Sequence, residues 1–319
     1  MKKIIGLFAL MLTLNGCDDG DITIEDINFE DVTASYCDQN DILYKIKDNE
    51  ALLIQIENSE NFFTNEVSDE GDPTVITINN TTNRVIYRAY SGEVATGNIC
   101  ATIPLSTPSV IEEWVATSGT IEITTTANVV PNTTSTAGNA TKITGYTYYI
   151  EFKNVTFLKP NGVEQLYETY VFGDRIINSS LPFAFNVANV VKCDISSNVI
   201  YNVSGKESLV LNLDSSFFTG TLSPNIKPIS ATNKVTYKLF ETALTTDYFC
   251  TSPFPATPIL SEEWNGVDGV GGVSGEIEVI ATEVTPDIEY TIHLKKVTLK
   301  RGNAEFYLGD DYIYGTFIN

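Results

Sequence analysis

The chain has 319 residues and carries 41 acidic side chains against 19 basic ones, a formal net charge of −22. That balance excludes nucleic acid as a partner, because phosphate backbones are held by Lys and Arg. With 16 Tyr, 16 Phe, abundant Thr, Val and Ile and a single His, the palette suits strands better than helices, and the length suits two modules better than one core.

The N-terminus reads as an export signal. Lys2 and Lys3 supply the positive start, and Ile4 to Leu14 supplies a short apolar run. A bilayer-spanning helix needs about 17–25 residues, so this run fits the core of a signal peptide instead. It ends in Leu14-Asn15-Gly16-Cys17. The sequence resembles the lipobox of bacterial lipoproteins. The resemblance implies cleavage of residues 1–16 and lipid on Cys17. No other stretch is apolar enough to cross a membrane as a helix, so the acyl chains would be the membrane anchor. Asp18, Asp19, Gly20 and Asp21 then make 17–21 an acidic tether. That cluster resembles the surface-export signal of Bacteroidota lipoproteins. Under the enteric sorting rule, Asp after the Cys means retention at the inner membrane instead; the rest of the chain favours the surface reading. The acidic surplus itself suits solubility in a crowded surface layer better than it suits divalent-cation binding.

From Ile22 the chain alternates loosely through Ile24, Ile27 and Phe29 and leads into a first module, expected over 22–175. Cys37 follows in a polar turn. Strands are predicted at Ile42–Ile46 and Ala51–Glu57 from their period-2 alternation. Asp69-Glu70-Gly71-Asp72-Pro73 is an acidic turn. Its oxygens make Asp69, Glu70 and Asp72 weak candidates for Ca2+, but the spaced pattern of an EF-hand is absent and a solvated turn is the better reading. Strands follow at Val75–Ile78 and Arg84–Tyr90.

The segment Asn83–Trp114 recurs, without a gap, as Asn233–Trp264, and ten of the 32 positions are identical. The shared residues include Tyr87/Tyr237, Cys100/Cys250, Thr107-Pro108/Thr257-Pro258 and Glu112-Glu113-Trp114/Glu262-Glu263-Trp264. An ungapped match of rare residue types points to internal duplication, which sets architecture before anything else. Cys100 to Pro108 is expected to be irregular, since Pro cannot donate within a sheet. Val110 to Thr126 reads as a hairpin around Thr117-Ser118-Gly119, with a short helical turn at Thr107-Pro108 as the competing reading. The second copy carries extra residues in the Gly-rich run 265–272, and insertions belong in loop tips. Asn128 to Thr141 reads as a loop.

Tyr146 to Lys153 is the cleanest strand, matched by Ile288–Lys295. Both copies shift phase by one residue at Asn154 and Lys296, which predicts a bulge in each. Each module closes with an aromatic strand, Leu166–Phe172 and Phe306–Phe317. A linker is expected over Gly173–Pro182 and a second module over 180–319. The fold expected is all-β: two tandem antiparallel β-sandwich modules arising from internal duplication, with about seven to nine strands each.

With Cys17 taken by lipid, Cys37, Cys100, Cys193 and Cys250 remain. The exported compartment permits disulfides. Four cysteines allow three pairings, and the duplication selects Cys37–Cys100 and Cys193–Cys250. Metal binding by these residues is disfavoured, since there is no CxxC and no nearby His.

Little in the chain suggests catalysis. His293 lies on the polar side of its strand, where the first copy has Glu151 as its counterpart, and it has no evident Ser partner. Glu112-Glu113 and Glu262-Glu263 are the best carboxylates, but neighbours on a strand point to opposite faces, so neither pair alone suits glycoside hydrolysis. A structural role fits better, such as a cross-strand pair with Arg84/Lys234 or Arg88/Lys238. Trp114 and Trp264 read as core packing near the disulfides rather than as sugar platforms. The Gly-rich run 265–272 precedes no helix and cradles no phosphate.

The Cys17-Asp18-Asp19-Gly20-Asp21 start, the early Cys followed by a Tyr-bearing strand, and the Cys-x11-Glu-Glu-Trp block together resemble uncharacterised two-module surface lipoproteins of flavobacteria. The resemblance covers the whole mature chain and implies an outer-membrane address, but no activity. The reading is therefore a lipid-anchored, cell-surface protein with a non-enzymatic binding or scaffolding role and no cofactor, its candidate partners a surface glycan or an outer-membrane protein. The alternative is a carbohydrate-active enzyme with carboxylates assembled between the modules.

Overall fold

The computed structural model describes residues 26–193, 198–251 and 253–318. The leader, Cys17, the 17–21 tether, Ile22 and Ile24 lie outside the described residues.

The chain is all-β and every pairing is antiparallel. In the first module the strands are β1 (Ser35–Tyr36), β2 (Ile42–Lys47), β3 (Glu50–Ile56), β4 (Thr74–Thr77), β5 (Asn83–Tyr90), β6 (Val110–Pro131), β7 (Thr141–Leu158) and β8 (Glu164–Asn178). They form one sheet in the order β1-β2-β3-β5-β6-β7-β8, with β4 also paired to β6. In the second module they are β9 (Val190–Lys192), β10 (Val199–Ser204), β11 (Glu207–Asn212), β12 (Asn225–Pro228), β13 (Lys234–Phe240), β14 (Leu260–Gly266), β15 (Glu276–Val284), β16 (Asp287–Lys295), β17 (Thr298–Arg301), β18 (Ala304–Tyr307) and β19 (Tyr312–Ile318). These form two sheets, β18-β17-β14-β13-β11-β10-β9 and β12-β15-β16-β19.

The two modules correspond strand for strand once three long strands are cut. β6 matches β14 plus β15, β7 matches β16 plus β17, and β8 matches β18 plus β19. In the first module these strands run unbroken from one layer into the other. In the second the chain loops out at the corner, which raises the strand count above the expected nine. The bends recur at matching places. Asn154 and Lys296 both take φ of 50°, at the phase shift that the sequence marks. Ile150 pairs with Gly173 and the next residue with Val171; Ile292 pairs with Gly315 and the next with Ile313. A further bulge separates Ala89 from Tyr90 and Leu239 from Phe240.

These bends explain where the sequence reading departs from the structure. The hairpin expected around Thr117-Ser118-Gly119 does not form. Gly119 sits at φ 113° with its Cα facing the backbone of Lys153 to Val155, and register slips on both sides of Ser118 carry the strand on along β7 rather than back on itself. Phase-shifted alternation looks the same in both cases. The helical turn lies at Gly97–Cys100, not at Thr107-Pro108. Strand pairing with Lys142 carries β6 on to Pro131, so the loop expected at Asn128–Thr141 shrinks to residues 132–140. β8 likewise continues to Asn178, which leaves the linker starting at 179. The closing strand expected at Phe306–Phe317 is broken at 308–311.

Alternate residues of β2, β3 and β5 serve two different cores, as the period of two requires. Leu43, Leu52, Ile54, Val85 and Tyr87 join Trp114 in the main core, which continues into the second module through Tyr237, Trp264 and Phe306. Tyr44, Leu53, Ile86 and Tyr90 face the other way and cover Cys37. Tyr201, Phe240, Tyr248 and Phe249 do the same beside Cys193. Cys37 lies in disulfide contact with Cys100, and Cys193 with Cys250, at Cα separations of 5.3 and 5.1 Å. The tryptophans, both fully buried, therefore pack on the sheet face away from the disulfides and not near them.

Candidate binding site

The Glu-Glu-Trp block has the same internal wiring in both copies. The Trp114 indole N–H donates to Glu112 at 2.7 Å, and Trp264 donates to Glu262 at 2.9 Å. The second glutamate turns to the opposite face and pairs across the strand: Arg88 with Glu113 at 2.7 Å, and Lys238 with Glu263. The cross-strand partners are thus Arg88 and Lys238, not Arg84 and Lys234. A cation also covers each indole, Lys159 at 3.9 Å from the Trp114 ring and Arg301 at 5.7 Å from that of Trp264. These carboxylates are committed to indoles and cations within the sheets.

The second copy adds an inter-module role. Arg301 forms a 2.9 Å ion pair with Glu262, and its other terminal nitrogen donates to the Asn65 carbonyl at 3.0 Å. Asn65 donates back to Glu262 at 3.3 Å. The Asp69–Asp72 turn sits alongside: Asn303 donates to the Asp69 carboxylate and to the Ser68 carbonyl. Asp69, Glu70 and Asp72 are solvent-exposed. Among the described residues, no group of three or more His, Cys, Asp or Glu side chains is arranged to hold a metal ion. His293, itself mostly covered, pairs with the half-exposed Asp311 at 2.7 Å. None of these residues lines the concavity at the module boundary.

That concavity is a cavity of about 310 Å3 where three segments meet: 132–143 of the first module, 181–187 of the linker and 306–313 of the second. Its volume falls within the range of small-ligand pockets, about 300–1,000 Å3. Each wall is fixed by identifiable bonds. The linker is held by Glu207, which is buried and accepts the backbone N–H of Phe183 and of Ala184, each at 2.8 Å, and the hydroxyl of Tyr237 at 2.9 Å. Phe183 takes φ of 42° there, and its ring packs on Phe185, Tyr237, Phe306 and Tyr312 with centroids 5.2–5.7 Å apart.

The loop 132–140 is held by the β18–β19 corner. The N–H groups of Asp310 and Asp311 donate to the carbonyls of Gly138 and Ala137 at 2.9 and 3.0 Å. Asn139 donates to Asp310 at 2.7 Å, and the Tyr307 backbone N–H donates to the Thr141 hydroxyl at 2.8 Å. Gly309 is required at this corner: φ is 118°, and a Cβ would lie 2.6 Å from that of Ala137. Burial, with the Glu207 charge second, pushes the Tyr312 hydroxyl up to about 12. Burial and a hydrogen bond to Asp310 do the same for Tyr307, also to about 12.

The lining is mostly Phe, Leu, Ile, Ala and Tyr, with Asn132, Thr134, Ser135 and Thr136 among its polar members and Lys142 as its one charged residue. It contains no Asp or Glu. Sequence reasoning marked the 128–141 stretch as a loop. It did not reach the linker aromatics or the 306–313 corner, which meet that stretch only in three dimensions. Among the described residues no helix is long and apolar enough to cross a membrane. Comparison with protein-family models, curated proteins and solved structures finds no match.

Proposed function

We propose that the chain is a lipid-anchored protein of the outer membrane, facing outward, whose role is non-enzymatic binding or scaffolding, and that the cavity between its modules is the binding site. The observation that carries the binding role is the cavity's construction. Its walls come from three separate segments, each pinned by hydrogen bonds to another element, so the concavity is preformed rather than a gap between loosely joined parts. The lipid anchor is supported by Lys2, Lys3, the Ile4–Leu14 run and Leu14-Asn15-Gly16-Cys17, and the surface address by the acidic cluster after Cys17. The strand-for-strand match of the modules, down to the bulges at Gly173 and Gly315, supports their origin in one duplicated unit. The carbohydrate-active alternative needs two carboxylates facing each other across a cleft, and the cavity lining supplies none.

Two experiments test this. Cys17→Ala should release the protein from the membrane fraction, and protease added to intact cells should cleave the anchored form. Full shielding from protease would remove the surface address while leaving the anchor standing. A glycan array and a pull-down with outer-membrane proteins, each run beside Ala184→Trp, would test the site: Ala184 lines the cavity and a Trp there fills it. Capture that Ala184→Trp leaves unchanged would show that the binding surface is elsewhere. Turnover of any polysaccharide, abolished by a single carboxylate substitution with melting unchanged, would overturn the non-enzymatic role.

A further inference from the structure

Acidic residues outnumber basic ones 41 to 19 in the chain, yet the cavity is lined by one Lys and no Asp or Glu. Lys142 has no ion-pair partner among the described residues. Three acids on the surrounding elements, Asp310, Asp311 and Glu207, are already engaged. Asp310 accepts from Asn139 and Tyr307, Asp311 pairs with His293, and Glu207 accepts from the linker and from Tyr237. The cavity combines apolar and aromatic walls, built around Phe183, Phe185, Phe306 and Leu308, with polar groups from Asn132, Thr134, Ser135 and Thr136. Such a lining suits one long apolar body with one polar end.

We propose that the cavity takes an anionic amphiphile, an apolar chain or ring system lying along Phe183, Phe306 and Leu308 with its carboxylate or sulfate head at Lys142. A lysine without a carboxylate partner is a point charge available to such a head, and the excess of acid elsewhere on the chain disfavours a cationic head by like-charge repulsion. The proposal rests on the cavity being the binding site.

The test uses the full chain carrying Cys17→Ala and three probes of one tail length, each below its micelle concentration: dodecanoate, dodecanol and dodecyltrimethylammonium. Isothermal calorimetry should give one site, with dodecanoate at least about fivefold tighter than dodecanol and the ammonium weakest. Lys142→Gln should remove the preference for dodecanoate over dodecanol and leave dodecanol binding in place. Ala184→Trp should abolish all three. Binding sensitive to Ala184→Trp but indifferent to the head group, or a head preference that survives Lys142→Gln, overturns the anionic-amphiphile assignment and leaves the cavity as the site. No binding by any probe overturns the assignment too. Probe binding that Ala184→Trp does not alter overturns the cavity itself.

Discussion

Glu207 and Phe183 are joined by a 2.8 Å bond from the linker's backbone N–H to a buried carboxylate oxygen. Through that bond a strand of the second module fixes the chain that enters it. The same carboxylate takes the Ala184 N–H and the Tyr237 hydroxyl, so one side chain positions the linker wall of the cavity. In the first module Glu50 occupies the matching place and accepts from Tyr87 at 2.6 Å.

Glu207→Ala leaves two backbone donors and a phenol without their acceptor. The expected loss is about 2–5 kcal/mol: a buried group left unpaired costs about 1–3 kcal/mol, and the two part-exposed linker donors recover part of theirs from water. Glu207→Gln keeps one acceptor oxygen and should lose less. Urea unfolding of both variants reads this directly, and an alanine variant as stable as the parent would remove Glu207 from its assigned role.

Gly309→Ala places a methyl group against Ala137 and the Gly138 carbonyl, at a φ that L-residues rarely adopt. It should cost about 1–3 kcal/mol and detach the 132–140 loop. Gly71→Ala is the control: its φ is 76° but nothing lies within 4 Å, so it carries the backbone cost without the collision. Thermal melts should rank parent, Gly71→Ala and Gly309→Ala in falling order.

The two tryptophan-bonded glutamates should differ in weight. Glu112→Ala removes one acceptor from Trp114. Glu262→Ala removes the acceptor from Trp264 and also strands Arg301, which is mostly buried and spans the module boundary. The second substitution should cost more, by about 1–2 kcal/mol. Equal costs in urea unfolding would mean that the Arg301 contact contributes nothing to stability.

Alkali should unfold the protein through its tyrosines. Burial is the first cause that pushes Tyr146, Tyr307 and Tyr312 up to about 12. Free tyrosine ionises near about 10. Between those values the folded chain keeps protons that the unfolded chain loses, so this stabilisation is complete below about pH 10 and is lost as pH rises through about 12. Melting temperature should fall across that window, and part of the tyrosinate absorbance should appear only as the fold opens. Full ionisation of a native fold near about pH 10 would contradict it.

The sequence by itself determined the elements whose signals are local. Period-2 alternation marked β2, β3, β5 and the Tyr146–Lys153 part of β7, and the phase slip at Asn154 and Lys296 marked their bulges. The matched cysteines selected partners because a repeat constrains pairing that distance alone does not. The Glu-Glu-Trp block was legible as structural, though Arg88 and Lys238 had to be separated from Arg84 and Lys234 by register.

Only the tertiary structure decided how far a strand runs and what meets across space. A corner and a hairpin both interrupt alternation with a Gly, and the difference at Gly119 lies in which strand receives the next hydrogen bonds. The cavity was beyond the sequence for the same reason. Lys142, Phe183 and Leu308 are far apart along the chain, and no local pattern records that Glu207 and Gly309 bring their segments together.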